Sequence, residues 1–306
     1  MGAYILRRLA QAIPVLFGVS ILVFAMSHLV PGDPVAVMLG DRATAQDVER
    51  LRHQLGLDRP IYVQYVDYLW RVLHGDLGTS IRSGQPVAQE ILAHLPATMQ
   101  LAVAAAFLAV LIGVTAGVIA ATTTKRAVDL AVMTLVLLGI STPTFFSGLL
   151  LILVFALKLD LLPVVEGGGI KALILPALTL ALPASAVLAR MARSSMLEEI
   201  RRDYVRTAFS KGLRSRTIVA VHVLRNALIP VVTIVGLQFG GLMAGTVIVE
   251  SVFARSGLGR YAVTAINARD FPQIQGIVLV VATIYVLVNL AVDLLYAAID
   301  PRIRYR

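Results

Sequence analysis

Apolar residues fall into six long blocks along this chain, each bounded by charged or turn-forming residues. The blocks are Leu9 to Val30, Ala97 to Ala121, Leu130 to Leu157, Lys171 to Ala189, Ile229 to Phe253 and Ile274 to Ile299. A helix needs about 20 predominantly apolar residues to cross the hydrocarbon core of a bilayer, so each block predicts one transmembrane span. Pro176 and Pro183 interrupt the fourth block. Prolines are tolerated inside such helices because neighbouring groups re-satisfy the freed carbonyls. The first block follows Arg7 and Arg8, and Ala25-Met26-Ser27 resembles a signal-peptide cleavage site. It is too long for a signal h-region and more spans follow, so an uncleaved helix is expected.

Two polar stretches separate the blocks. The first, residues 31–95, opens with the turn Pro31-Gly32-Asp33-Pro34. Thr44-Ala45-Gln46-Asp47 has capping-box spacing and predicts a short helix ending near Gly56. Pro60 suits the first turn of a second helix, ending near Gly75 and carrying Tyr62, Tyr65, Tyr68 and Trp70. Aromatics at that density beside a membrane form an interfacial belt more often than a ligand cage. The second stretch, residues 190–228, is basic and helical in propensity, with no proline until Pro230. A plain connector would be a few residues long, so this one predicts a docking surface. The organisation expected is a first span over 1–30, an outer helical subdomain over 31–95, and a five-helix core over 96–306.

Composition excludes whole classes. The chain of 306 residues is 58% hydrophobic and 15% charged, with a mean hydropathy of +0.83. A soluble domain is about 45–50% apolar and about 25% charged. An ordinary soluble enzyme and a disordered protein are both ruled out, and the expected fold class is an all-α polytopic membrane protein. The absence of cysteine removes a disulfide framework, a zinc cluster and a thiol nucleophile. Net charge is +9, but its placement in short loops beside the blocks marks topology, not nucleic-acid binding. With the N-terminus inside, 16 of the 27 Lys and Arg fall in cytoplasmic segments, nine of them between Arg190 and Arg225. The two short outer loops hold five: Lys158, Lys171, Arg255, Arg260 and Arg269. The six in 31–95 count little, because long loops escape the rule. Both termini are therefore expected in the cytoplasm.

Catalytic signatures are missing. There is no H-E-x-x-H helix, no G-x-S-x-G elbow and no phosphate-binding loop; Gly167-Gly168-Gly169-Ile170-Lys171 lacks the required spacing and predicts a flexible outer turn. His28, His53, His74, His94 and His222 are scattered, and His53 and His74 should be solvated. Asp293 lies one turn from Asn289 near the inner end of the sixth span, where structural pairing is the first reading and a proton relay the second. Glu250, at the outer end of the fifth span, should be solvated. The fifth span also carries Gly236/Gly240 and Gly241/Gly245, two small-xxx-small pairs that favour close helix packing.

The inner stretch reads Asp203-Tyr204-Val205-Arg206-Thr207-Ala208-Phe209-Ser210-Lys211-Gly212 and continues through His222-Val223-Leu224-Arg225-Asn226-Ala227-Leu228-Ile229-Pro230. It closely resembles the cytoplasmic "EAA" loop of bacterial ABC importer permeases of the peptide/nickel family. His28 to Pro34, His74 to Ser80, Gly257 to Arg260 and the tail Asp300 to Tyr305 resemble further motifs of that family. Phe209 departs from the basic or small residue common at its position. The resemblance implies a type I importer permease of the first ("B") kind in the bacterial inner membrane. It implies a second homologous permease, two cytosolic ATPases that bind ATP and Mg, and an external substrate-binding protein. It assigns ATPase docking to Asp203, Tyr204, Arg206, Thr207, Ala208, Lys211, Gly212, His222, Arg225 and Asn226, with Gly212 ending a helix. Short peptides are the first substrate class expected, glutathione the second and a nickel chelate the third. A stand-alone proton-coupled carrier using Asp293 would need an inverted repeat and a charged midplane site, and neither is evident.

Overall fold

Helices form where the apolar blocks predict them, but most overrun the blocks. The computed structural model describes residues 2–29, 44–54, 56–164 and 169–299. Among these the long elements are α1 (Gly2–Leu29), α2 (Ala45–Gln54), α3 (Ile61–Leu73), α4 (Val87–Thr122) and α5 (Arg126–Ser141). There follow α6 (Thr144–Lys158), α7 (Ile170–Ile200), α8 (Asp203–Ser210), α9 (Ser215–Val252), α10 (Leu258–Asn267) and α11 (Phe271–Ile299). Two stretches are wound as π-helix, Ile152–Lys158 in α6 and Ile218–Val223 in α9. Stretches of α1 (Arg7–Met26) and α11 (Phe271–Val292), with α4, α7 and α9, are long and apolar enough to cross a membrane.

The third block departs from expectation. It forms not one straight helix but α5 and α6, bent by 109° at their junction. A proline ring disfavours helical geometry in the residue before it, and Thr142, preceding Pro143, is extended with ψ 126°. Pro143 then starts α6, where its missing N–H costs nothing. The Gly167–Gly169 turn, the 31–34 turn and the tail motif from Asp300 fall wholly or partly outside the described residues.

The chain divides into two compact units. The first comprises residues 1–96 and 257–290. Its core joins Val87 and Ile91 of α4 to Leu258 and Ala265 of α10 and Ile277 of α11. Asp270, fully buried, accepts from the Ser80 hydroxyl at 2.5 Å and from the Arg82 N–H at 3.2 Å, and it also takes the Gln273 N–H at 3.3 Å. A carboxylate at a helix N-terminus is favoured by the dipole, so Asp270 both caps α11 and ties down the loop before α4. Tyr261 of α10 donates to Glu90 and stacks on His94 with ring centroids 4.5 Å apart. Burial, and then that carboxylate, push the Tyr261 phenol far above its ordinary range.

Both helices expected between the first two blocks form where predicted. The α2 end has Gly56 at φ +66°, and the α3 end has Gly75 at φ +79°. Tyr65 and Tyr68 of α3 turn onto α1: the Tyr65 hydroxyl meets the Ser20 hydroxyl at 2.8 Å, and Phe24 lies 5.3 and 5.7 Å from the two tyrosine rings. Burial, with Tyr65 beside it, pushes the Tyr68 phenol up to about 12. Gln275 of α11 reaches the Val23 carbonyl of α1 at 3.4 Å.

The second unit comprises residues 97–256 and 291–306, with α7 at its centre. Helix association in lipid is driven by close packing, which favours small residues. Accordingly α7 buries Ala172, Ala177, Ala181, Ala184, Ala189 and Ala192. Gly113 and Gly117 of α4 lie directly on it. A Cβ at Gly113 would stand 2.6 Å from the Ser185 carbonyl oxygen, and one at Gly117 2.7 Å from that of Ala189. Near the two α7 prolines, the Thr179 and Ser185 hydroxyls donate to the carbonyls of Leu175 and Leu182, each at 2.8 Å.

Candidate coupling segment

The stretch predicted as one long inner segment is shared among three helices. The α7 helix continues to Ile200 and α9 begins at Ser215, leaving α8 and its flanking turns between them. Val205 and Ala208, three residues apart and so on one face, are 3% and 9% exposed. They pack with Ala121, Met196, Ile218, Val223 and Ala227. Asp203, Arg206, Thr207, Phe209, Ser210 and Lys211 point away from that seat and are exposed. Asp203 stands in the first turn, where a carboxylate favours the helix dipole.

Gly212 ends α8 as the resemblance implies. The Leu213 N–H reaches back to the Ala208 carbonyl at 3.3 Å and the Gly212 N–H to that of Phe209 at 2.9 Å. This is a Schellman closure, which needs a left-handed residue, and Gly212 supplies it at φ +75°. Tyr204 holds the helix from its other end. Its hydroxyl donates to Glu199 of α7 at 2.7 Å and accepts from Asn226 of α9 at 3.3 Å. Burial raises the Tyr204 phenol above its ordinary range and the Glu199 carboxylate adds to that, against an opposing Asn226 bond.

The predicted residues therefore divide into two groups. Tyr204, Ala208, Gly212 and Asn226 position α8, while Asp203, Arg206, Thr207 and Lys211 form its outward face. His222 and Arg225 are exposed on α9. Sequence reasoning missed Glu199 and Val205, for which the signals were a carboxylate five residues before Tyr204 and the spacing to Ala208.

Two further sites were also missed or misread. Arg193 of α7 donates from Nε and Nη2 to the two carboxylate oxygens of Asp129 on α5, at 2.7 and 2.6 Å. Glu250 is a correction: it is not solvated but fully buried, and it accepts from the Thr98 hydroxyl of α4 at 2.6 Å. A buried carboxylate needs such a donor. His53 and His74 are exposed as expected, and the Asp293 side chain lies outside the described residues. Among the described residues no group of three His, Asp or Glu is placed to hold a metal ion.

Helices long enough to cross a bilayer, a small-residue packing core and a short helix displayed between two of them define a multi-pass membrane protein. Comparison with solved structures agrees on the fold. The methionine ABC transporter MetNI, inward-facing, matches with a TM-score of 0.58 at 19% identity, over 69% of this chain and 97% of that one. An amino acid ABC transporter with histidines matches with a TM-score of 0.52 at 19% identity, over 70% and 94%. The family model described as binding-protein-dependent transport system inner membrane component matches residues 113–305, and its N-terminal counterpart matches 1–102. The chain belongs to this family, as a multi-pass permease of the bacterial inner membrane. It is 46% identical to the glutathione transport system permease protein GsiC of Escherichia coli O6:H1, over 99% of both chains. It is 43% identical to the dipeptide transport system permease protein DppB of Alkalihalophilus pseudofirmus, over the whole of both.

Proposed function

We propose that this chain forms half of the translocation path of an ATP-driven importer for short peptides, with six crossings and both termini in the cytoplasm. Glutathione, a tripeptide, is the alternative within the same mechanism, and a nickel chelate is third. A second homologous permease completes the path, an external binding protein delivers substrate, and two cytosolic ATPases bind ATP and Mg and perform the hydrolysis. This chain is then a non-catalytic subunit, and it receives work through a rigid contact.

The observation that carries this reading is α8. Two side chains seat it, a tyrosine strut and a glycine closure hold its ends, and its polar face is left exposed. A helix fixed at three points transmits a push to α7 and α9 without being deformed by it.

Purification of tagged chain in mild detergent, with co-purifying proteins identified by mass spectrometry, should recover a second permease and ATPase subunits. A stable lone homo-oligomer would overturn the proposal. Gly212→Asp should insert normally but lose ATPase co-purification and uptake, because a side chain at φ +75° strains the closure by about 1–2 kcal/mol. Normal ATPase recovery and normal uptake by that variant would remove α8 from the mechanism.

A further inference from the structure

The outer helix α3 has two apolar faces, of which the protein covers one. At 100° per residue, Tyr65 and Tyr68 lie on one side of the helix and contact α1. Tyr62, Val66, Trp70 and Leu73 form an adjoining stripe at i, i+4, i+8 and i+11, and these four are 61–80% exposed. Gln64, Asp67 and Arg71 occupy the opposite side, where Asp67 pairs with Arg59 at 3.2 Å. An exposed stripe of large apolar side chains backed by a polar face requires an apolar neighbour.

The depth of α3 is set by what it touches. Tyr65 contacts Phe17, Ser20 and Phe24 of α1, and these residues lie inside the apolar window Arg7–Met26. At 1.5 Å per residue they stand about 3–14 Å inward of the window's outer end. The same stretch of α1 leaves Phe17 and Leu22 exposed, within a window apolar enough to cross a membrane. Interfacial amphipathic helices bury their apolar face about 5–10 Å into the headgroup and acyl boundary, which is the same range.

We propose that α3 is seated in the outer leaflet of the membrane, with Tyr62, Val66, Trp70 and Leu73 in lipid and Gln64, Asp67 and Arg71 toward water. The outer subdomain is then anchored to the bilayer independently of the spans, and Tyr65 carries that anchor to α1 through Ser20. The four aromatics divide accordingly: Tyr65 and Tyr68 turn onto α1, and Tyr62 and Trp70 are left exposed.

Trp70 is the one tryptophan in the chain, so intrinsic fluorescence reports on this face alone. The full chain is reconstituted in phosphatidylcholine–phosphatidylglycerol vesicles, with nitroxide placed either high or low on the acyl chain. Trp70 emission should be blue-shifted, quenched several-fold more by the shallow nitroxide than by the deep one, and shielded from aqueous iodide. Tyr62→Trp in a Trp70→Phe background should behave alike, whereas Arg71→Trp in that background should be iodide-accessible. Free iodide access to Trp70 would overturn the proposal in favour of a solvated face. Shielding from both iodide and lipid nitroxide would overturn it in favour of a protein neighbour. The readout needs neither substrate nor ATPase, so the seating in lipid stands apart from the transport assignment, and only the choice of the outer leaflet rests on the orientation proposed above.

Discussion

At the residue scale, the burial of Glu250 against Thr98 makes a specific demand. A buried carboxylate accepting a 2.6 Å bond from a hydroxyl loses about 1–3 kcal/mol when that donor is removed. Thr98→Val should lower the detergent unfolding temperature, and Thr98→Ser should restore most of it; equal melting of Thr98→Val and wild type would show the bond to be dispensable. Glu250 was illegible because a charge closing an apolar block looks solvated, and its donor stands 152 positions away in another block. Gly236 was legible, since small-xxx-small spacing marks close approach whatever the neighbour. A Cβ there would fall 2.1 Å from the Val292 side chain, whereas Gly241 of the other pair faces open space. Gly113 and Gly117 share that four-residue spacing, and a Cβ on them would meet backbone at 2.6 and 2.7 Å, but an Ala-rich run gave them no contrast.

At the element scale, hydropathy marks the thickness of the bilayer and not the length of the helix. The fourth block stops at the first arginine, but Arg190 to Glu199 are good helix formers and α7 simply continues through them. The overrun is what brings Arg193 to Asp129. A bidentate guanidinium–carboxylate pair exceeds an ordinary surface pair, although about a quarter to a third of each side chain remains exposed here. A double-mutant cycle on Asp129→Asn and Arg193→Gln should give a favourable coupling above that of an ordinary exposed pair. Arg193→Lys should recover little of it, because an ammonium cannot present the fork. A coupling within a few tenths of zero would mean that α5 and α7 are held by packing alone. The short helix α8 was legible in outline because the resemblance covered it; its seat on Met196, Ile218 and Val223 was not, since those contacts cross helix boundaries.

At the scale of the whole molecule, the fold class followed from apolar blocks too long and too many for anything but a membrane, and the family from motifs spread over the chain. Sidedness remains open to direct measurement, and a chain without cysteine makes it clean. Ser83→Cys and Asp160→Cys should react with an impermeant maleimide on intact spheroplasts, and Ser210→Cys only after permeabilisation. Labelling of Ser210→Cys from outside would reverse the orientation. The bend between α5 and α6 bears on this count in a way that its size conceals. Spans alternate in direction, so the number of crossings before any point has a parity, and parity alone assigns a side. If α5 and α6 together cross once, the nine Lys and Arg between Arg190 and Arg225 emerge on the same side as Arg7 and Arg8. If the pair dipped in and turned back, every residue beyond it would change sides, and those nine cations would be left across the membrane against the preference that orients the rest. Which compartment the second half of the chain sees therefore turns on whether the pair bent at Thr142 and Pro143 crosses or turns back.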